Sequence, residues 1–330
     1  GSIMVWVEVI FLYYLLATLM PIDKIIGRIY PVFAFALIFM ALALMVCLFV
    51  KWPSLPELWD GLGNLGESKG LLRGQPIFPC LFITIACGAV SGFHATQSPL
   101  MARCVSDERL GRPVFYGAMI TEGIVALIWA TVSSWFFFDG GAAEVGATVT
   151  AAAPDVVVKV SKGWLGILGG VLAILGVVAA PITSGDTAFR SARLIVADFL
   201  HLNQKPIVNR LLISIPLFLI AGLLLWYNIA DENGFNVIWR YFGWANQTLA
   251  VFMLWTATAY LVKSKKGLTY LITMIPAAFM TAVCTTYICV AKIGLGLPNS
   301  WNRAIGLTTF VVSLVVFYTL YFRRRKLTTM

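Results

Sequence analysis

"FPCLFITIACGAVSGFHATQSPLMARC", from Phe78 to Cys104, decides how this chain folds. It opens as an uninterrupted apolar run and then turns polar at His94, Gln97 and Ser98, with Pro99 directly behind. A helix needs about 20 residues to cross a bilayer. A crossing that begins at Ile77 is therefore completed only by the polar residues. In hydrocarbon, irregular backbone survives only where it is buried in protein or lines a cavity. Gly88 and Gly92 form a GxxxG pair, and Gly88, Ser91, Ala95 and Ser98 share one face of small residues. Such a face lets another helix approach closely. Pro99 lacks a backbone donor and disfavours helix at Ser98. His94 and Gln97 lie one turn apart, on a different face from the small residues. Two readings stay open: tight helix packing with an interfacial histidine, or a helix broken over 92–99 that lines a substrate path.

The composition around this stretch points the same way. Of 330 residues, 60% are hydrophobic and only 12% charged, with a mean hydropathy of +0.87. A soluble domain carries about a quarter charged residues, so most of this surface must face lipid. The fold class expected is an all-α, polytopic transmembrane helix bundle. Nine spans are expected near 3–20, 31–50, 77–98, 113–138, 163–182, 207–228, 236–262, 268–292 and 302–322. The net charge of +9 comes from residues between these runs. It reads as a membrane-orientation signal, not as a nucleic-acid surface. Alternating the spans puts sixteen of the 24 Lys and Arg on one side, including Arg323, Arg324, Arg325 and Lys326. The positive-inside rule makes that side, and the C-terminus, cytoplasmic. Trp52, Trp135, Trp164, Trp226 and Trp301 fall near the opposite interface as an aromatic belt. The six cysteines show neither a CxxC pair nor metal-ligand spacing.

Residues 1–2 read as a tag scar and 3–322 as one transmembrane domain. The segment 189–205 reads as a cytoplasmic interfacial helix or a structured loop, and 323–330 as a basic cytoplasmic tail. An odd number of spans with a cytoplasmic C-terminus puts the N-terminus outside, so either further native spans are expected upstream or the span count is off by one.

Three other polar groups stand where hydrocarbon is expected. "APITSGDTAFRSAR", Ala180–Arg193, repeats the first design: Pro181 interrupts the fifth span, and Thr183, Ser184, Gly185 and Asp186 follow. Asp186 and Arg190 are spaced for an i,i+4 ion pair. A helix restarting after Gly185 would offer free amides to an anion; the alternative is an ordinary helix end capped by Asp186. Glu122 lies about 14 Å into the fourth span, where an acid costs about 2.5–3.5 kcal/mol. A carboxyl that exchanges a proton as its surroundings wet and dry is what proton coupling requires; a structural hydrogen bond is the alternative. Asn246 and Gln247, in "IWRYFGWANQTLA", read as substrate ligands or as interhelical hydrogen-bond partners. His94 and Pro181 lie roughly 25 Å from the outer edge, so an inner gate is the alternative to a central site.

Other functions lack their signatures. "AVSG" has Ala89 where an intramembrane serine protease of the rhomboid kind needs glycine, and neither HExxH nor a P-loop is present. No TVGYG-like loop suggests a channel filter. A channel or a nutrient-sensing scaffold leaves paired helix breaks unexplained. A secondary transporter accounts for the breaks, the membrane acid and the lack of an energy motif together.

"YYLLATLMPIDKIIGRIYP", "GFHATQSPLMAR", "GRPVFYGAMITEGIVALIWA", "GVVAAPITSGDTAFRSARLIVADF" and "IWRYFGWANQTLA" together resemble the carbon starvation protein A (CstA) family. The resemblance covers most of residues 9–255 and weakens through the last two spans. It implies a bacterial inner-membrane uptake system used when carbon is short, with members linked to peptide and to pyruvate uptake. It also implies kinship with the amino acid–polyamine–organocation transporters, whose LeuT-like core is two inverted five-helix repeats. No metal or cofactor is expected beyond the coupling ion, a proton or alternatively sodium. The partners expected are a small-molecule substrate and the bilayer, with the oligomeric state left open. The expected substrate ligands are His94, Gln97, Ser98, Thr183, Ser184, Asn246 and Gln247. Glu122, Asp186 and Arg190 are expected to couple or gate. The breaks are expected at Gly88, Gly92, Pro99, Pro181 and Gly185.

Overall fold

Apolar runs become helices here because nothing in hydrocarbon replaces a lost backbone hydrogen bond. The computed structural model of the chain describes residues 3–19, 23–57, 59, 63–71, 74–149, 153–231, 233–264 and 267–323. No strand occurs among them. Six helical stretches are long and apolar enough to cross a membrane: Pro31–Lys51, Glu108–Phe138, Ala153–Val177, Ile207–Ala230, Gly267–Val290 and Asn299–Tyr321. The shorter apolar helices Val7–Ala17 and Ile77–Gly88 stand where the first and third spans are expected. The seventh span is the continuous helix Gly234–Lys263, which carries Arg240, Asn246 and Gln247 in its first half. The chain is a multi-pass, all-α membrane protein. Its outward residues fit that medium: Ile167 is 85% exposed and Phe199 83%, a display that water would not tolerate across so many positions. The tag scar and residues 324–330 of the basic tail lie outside the described residues.

Two compact units emerge, Gly1–Glu57 with Ile124–Trp226 and Leu58–Gly123 with Tyr227–Met330. The core of the first joins Met40 and Leu44 of the second span to Val132 and Phe136 of the fourth and Val160 and Ala173 of the fifth. In lipid such contacts gain from fit and dispersion, not from release of water. Gly176 permits a close backbone approach, since a Cβ there would stand 3.0 Å from the Leu37 Cα. At one end of this unit Lys51 pairs with Glu144 and lies 5.5 Å from the centroid of the Trp164 ring. Trp164 in turn packs on Trp135 with ring centroids 4.5 Å apart.

The core of the second unit joins Ile83 and Ala86 of the third span to Met280, Val283, Cys284 and Tyr287 of the eighth. Ring and hydroxyl donors tie the seventh span to the eighth. Trp244 Nε1 donates to the Cys284 carbonyl at 3.0 Å, and Trp255 Nε1 to Thr281 Oγ1 at 3.0 Å.

The third span is discontinuous, but its gap lies upstream of most of the expected 92–99. A tight turn at Ala86–Gly88 ends its first half, Ala89–Gly92 is non-helical, and helix restarts at Phe93–Thr96 and Ser98–Cys104. Pro99 corrects one expectation. It occupies the first turn of the Ser98–Cys104 helix and does not unwind Ser98, because a first-turn residue has no helical partner for the amide that proline lacks. In the fifth span the irregularities lie upstream of 181–187. Gly166 has φ 63° and ψ −148° inside Ala153–Ala173, and a π-helical turn follows at Ile174–Val178. Helix then runs unbroken from Ala179 to Phe199 directly after that π-helical turn, so Pro181 and Gly185 lie inside a continuous helical stretch and 189–199 form its last three turns. The wider π-helical turn just upstream accommodates a residue that lacks an amide donor.

Candidate functional site

A break in a membrane helix strands backbone donors and acceptors, and each unsatisfied one costs several kcal/mol in hydrocarbon. The third span meets that cost through two consecutive side chains of the seventh. The Gly92 amide donates to Asn246 Oδ1 at 3.0 Å, and Asn246 Nδ2 reaches Cys87 Sγ at 3.5 Å. With its amide nitrogen turned to the Val90 carbonyl, Gln247 donates there at 2.8 Å while its oxygen accepts from the Cys87 amide at 2.9 Å. Gln247 is wholly buried and Asn246 nearly so. The two amides thus splint both sides of the break.

Gly92 makes the splint geometrically possible. A Cβ there would fall against the Asn246 carbonyl oxygen, 2.7 Å from Asn246 Oδ1 and 2.9 Å from the Leu249 Cβ. Buried Ser91 accepts from the Phe93 amide at 3.3 Å and so caps the restarting helix. Gln97 carries the chain across the next junction: its amide donates to the Phe93 carbonyl at 2.7 Å and its carbonyl accepts from Met101 at 2.9 Å. Gln97 and Ser98 are half-buried, and the His94 side chain lies outside the described residues.

The start of the fourth span passes this break. A Cβ on Gly123 would stand 3.6 Å from the Gly88 carbonyl oxygen, and the neighbouring Glu122 lies within coulombic reach of Cys87. Glu122 is midway along the helical stretch Glu108–Phe138 and is exposed on its own unit.

The second expected cluster belongs to the other unit. Asp186 is 3% exposed, and its Oδ2 accepts from Arg190 Nη2 at 3.3 Å. The i,i+4 pair expected from the sequence therefore forms, within a half-buried setting. Gly185 does not begin a helix, which corrects the expectation of free amides after it. Its missing side chain makes room for the Tyr14 hydroxyl, which sits where a Cβ would be. The Tyr14 ring lies 5.4 Å from that of Phe189, which stacks on Phe218 at 4.6 Å. Ser184 is exposed, and the side chains of Thr183 and Pro181 lie outside the described residues.

The structure thus brings the third, fourth and seventh spans together at one break and pairs the fifth with the first elsewhere. Tyr14 and Cys87 were not singled out from the sequence. Tyr14 could have been, because a tyrosine pair inside an apolar run needs partners for its hydroxyls. Cys87 carried no signal, since cysteine in a membrane helix reads as a small hydrophobe.

The family model for carbon starvation protein CstA matches residues 2–167 and 142–287. The chain belongs to the CstA family. It is 48% identical over 145 residues to an uncharacterized membrane protein of Haemophilus influenzae, covering 40% of this chain and 39% of that one. To the peptide transporter CstA of Campylobacter jejuni it is 29% identical, over 69% of this chain and 40% of the other. To the pyruvate/proton symporter BtsT of Escherichia coli it is 27% identical, over 72% and 43%. The chain spans about two fifths of the length of these three relatives. No solved structure matches it.

Proposed function

We propose that this CstA-family chain works as a secondary active transporter in the bacterial inner membrane, with its C-terminus cytoplasmic. It takes up small carboxylate-bearing nutrients, peptides or pyruvate, and couples their entry to protons. The observation that carries this reading is the interrupted third span. Its break is splinted by Asn246 and Gln247, and the helix bearing Glu122 crosses beside it. A helix broken inside the membrane exposes main-chain dipoles at the depth where a solute must shed water.

In this scheme Glu122 holds the transported proton, and the segment His94–Ser98 meets the substrate carboxylate. Asn246 and Gln247 hold the break open at a set spacing, and Asp186 with Arg190 forms a gating pair. Similarity to a peptide transporter and to a pyruvate/proton symporter supports this choice of substrates and coupling ion.

The test is uptake in proteoliposomes under an imposed proton gradient, then under a sodium gradient, with counterflow of labelled pyruvate against a dipeptide. Accumulation driven by the proton gradient supports the reading. Accumulation driven by sodium alone replaces the coupling ion, and downhill flux without accumulation replaces the transporter by a channel.

A further inference from the structure

A second polar recess lies on the same two helices, away from the break. It is a pocket of about 120 Å³ whose lining includes Gln75, Pro79, Arg240, Tyr287, Val290 and Lys292. Arg240 precedes Asn246 by six residues, about 9 Å along the helix axis, toward the end opposite Lys263. Among the described residues neither Arg240 nor Lys292 has a carboxylate in ion-pair range. Both side chains are exposed at the recess, and two cations beside one cleft, in a chain with only 12% charged residues, give it a positive field that favours an anion. A third observation stands apart from charge. Tyr287 is 7% exposed, yet its hydroxyl makes no hydrogen bond among the described residues. It lies within electrostatic reach of Arg240 and of Cys80, both in the pocket wall. The Tyr287 hydroxyl is not among the buried unsatisfied atoms, so its polar tip stays open to a ligand while the ring packs away.

We infer that this pocket is a binding site for a small monocarboxylate, held by Arg240, Lys292 and the Tyr287 hydroxyl. The planar guanidinium of Arg240 suits two carboxylate oxygens, Tyr287 donates to one of them, and Lys292 adds a point charge. Size and lining set the rest. At about 120 Å³ the recess is well below the range of about 300–1,000 Å³ typical of drug-sized ligand pockets, which suits a short carboxylate over a whole peptide. Pro79 and Val290 give the recess an apolar wall, which favours a carboxylate with a short carbon tail over phosphate, polar on every side. If the chain transports as proposed, this is where a carboxylate pauses before the break. The binding claim itself needs no transport.

Equilibrium dialysis of labelled pyruvate against the purified chain in nanodiscs, with no gradient present, tests it. Saturable binding is expected. Arg240→Gln should weaken it about tenfold or more and Tyr287→Phe about threefold, while Arg303→Gln, outside the pocket, leaves it unchanged. Inorganic phosphate at equal concentration should displace little of the label. Absence of saturable binding to the parent chain overturns the inference. So does unchanged affinity in Arg240→Gln that elutes and melts like the parent, or phosphate competing as well as pyruvate. Should Arg240→Gln fail to fold, unchanged affinity in Tyr287→Phe overturns it alone. Glu122→Gln, which bears on coupling, should bind normally here, so failure of the transport reading is told apart from failure of this one.

Discussion

At the scale of single residues, the break in the third span depends on an atom that is missing and two amides that are present. Gly92→Ala would drive a methyl into the Asn246 backbone, and overpacking of this kind costs about 1–3 kcal/mol. The expected result is a lowered melting temperature in detergent with membrane insertion kept; an unshifted melt would show that the two helices give way without strain. Gln247→Leu removes the partner of the Cys87 amide and the Val90 carbonyl together. Leaving a buried backbone group unsatisfied costs about 1–3 kcal/mol, so this variant should be destabilised at least as much as Gly92→Ala. Gln247→Glu keeps the acceptor and should recover part of the loss, which a plain packing defect would not. Asn246 and Gln247 were legible as polar residues out of place, but not as splints: their partners are main-chain atoms more than 150 positions away.

At the scale of the element, the fifth span carries its irregularity at a residue that the sequence made easy to overlook. Gly166 sits in a left-handed backbone region that a side chain tolerates poorly. Nothing crowds a Cβ there, so any penalty on Gly166→Ala comes from the backbone alone. About 1–3 kcal/mol is expected, read as a fall in thermal stability, and a neutral outcome would mean that the kink straightens at no cost. Pro181 drew attention because proline is the commonest breaker, yet it follows directly on the π-helical turn Ile174–Val178 and the helix continues through it. In the third span, by contrast, two glycines and a serine between apolar halves marked the true interruption. Sequence signals of a break are reliable when several small or polar residues cluster, and weaker when one proline stands alone. Whether that proline starts a helix or ends one depends on hydrogen bonds that composition does not carry.

At the scale of the whole molecule, the coupling proposal rests on Glu122 and the orientation on charge distribution. Glu122→Gln should abolish proton-driven accumulation in proteoliposomes while leaving insertion and counterflow measurable; retained accumulation would remove Glu122 from the mechanism. A reporter active only in the cytoplasm, fused after Met330, should be active, because the positive-inside count places the basic tail there; activity of a periplasmic reporter at the same position would reverse the topology. By itself the sequence determined that this chain is a bundle of membrane helices and where most of them lie, and it marked the third as a candidate for interruption. Those properties follow from local composition, since lipid obliges each segment to satisfy its own backbone. Only the tertiary structure decided which helix repairs that interruption, that Glu122 crosses beside it while Asp186 and Arg190 pair in another unit, and that Arg240, Tyr287 and Lys292 share a recess. Those are meetings between residues far apart in the chain. They are set by how side chains of different helices fit, and no local pattern encodes that.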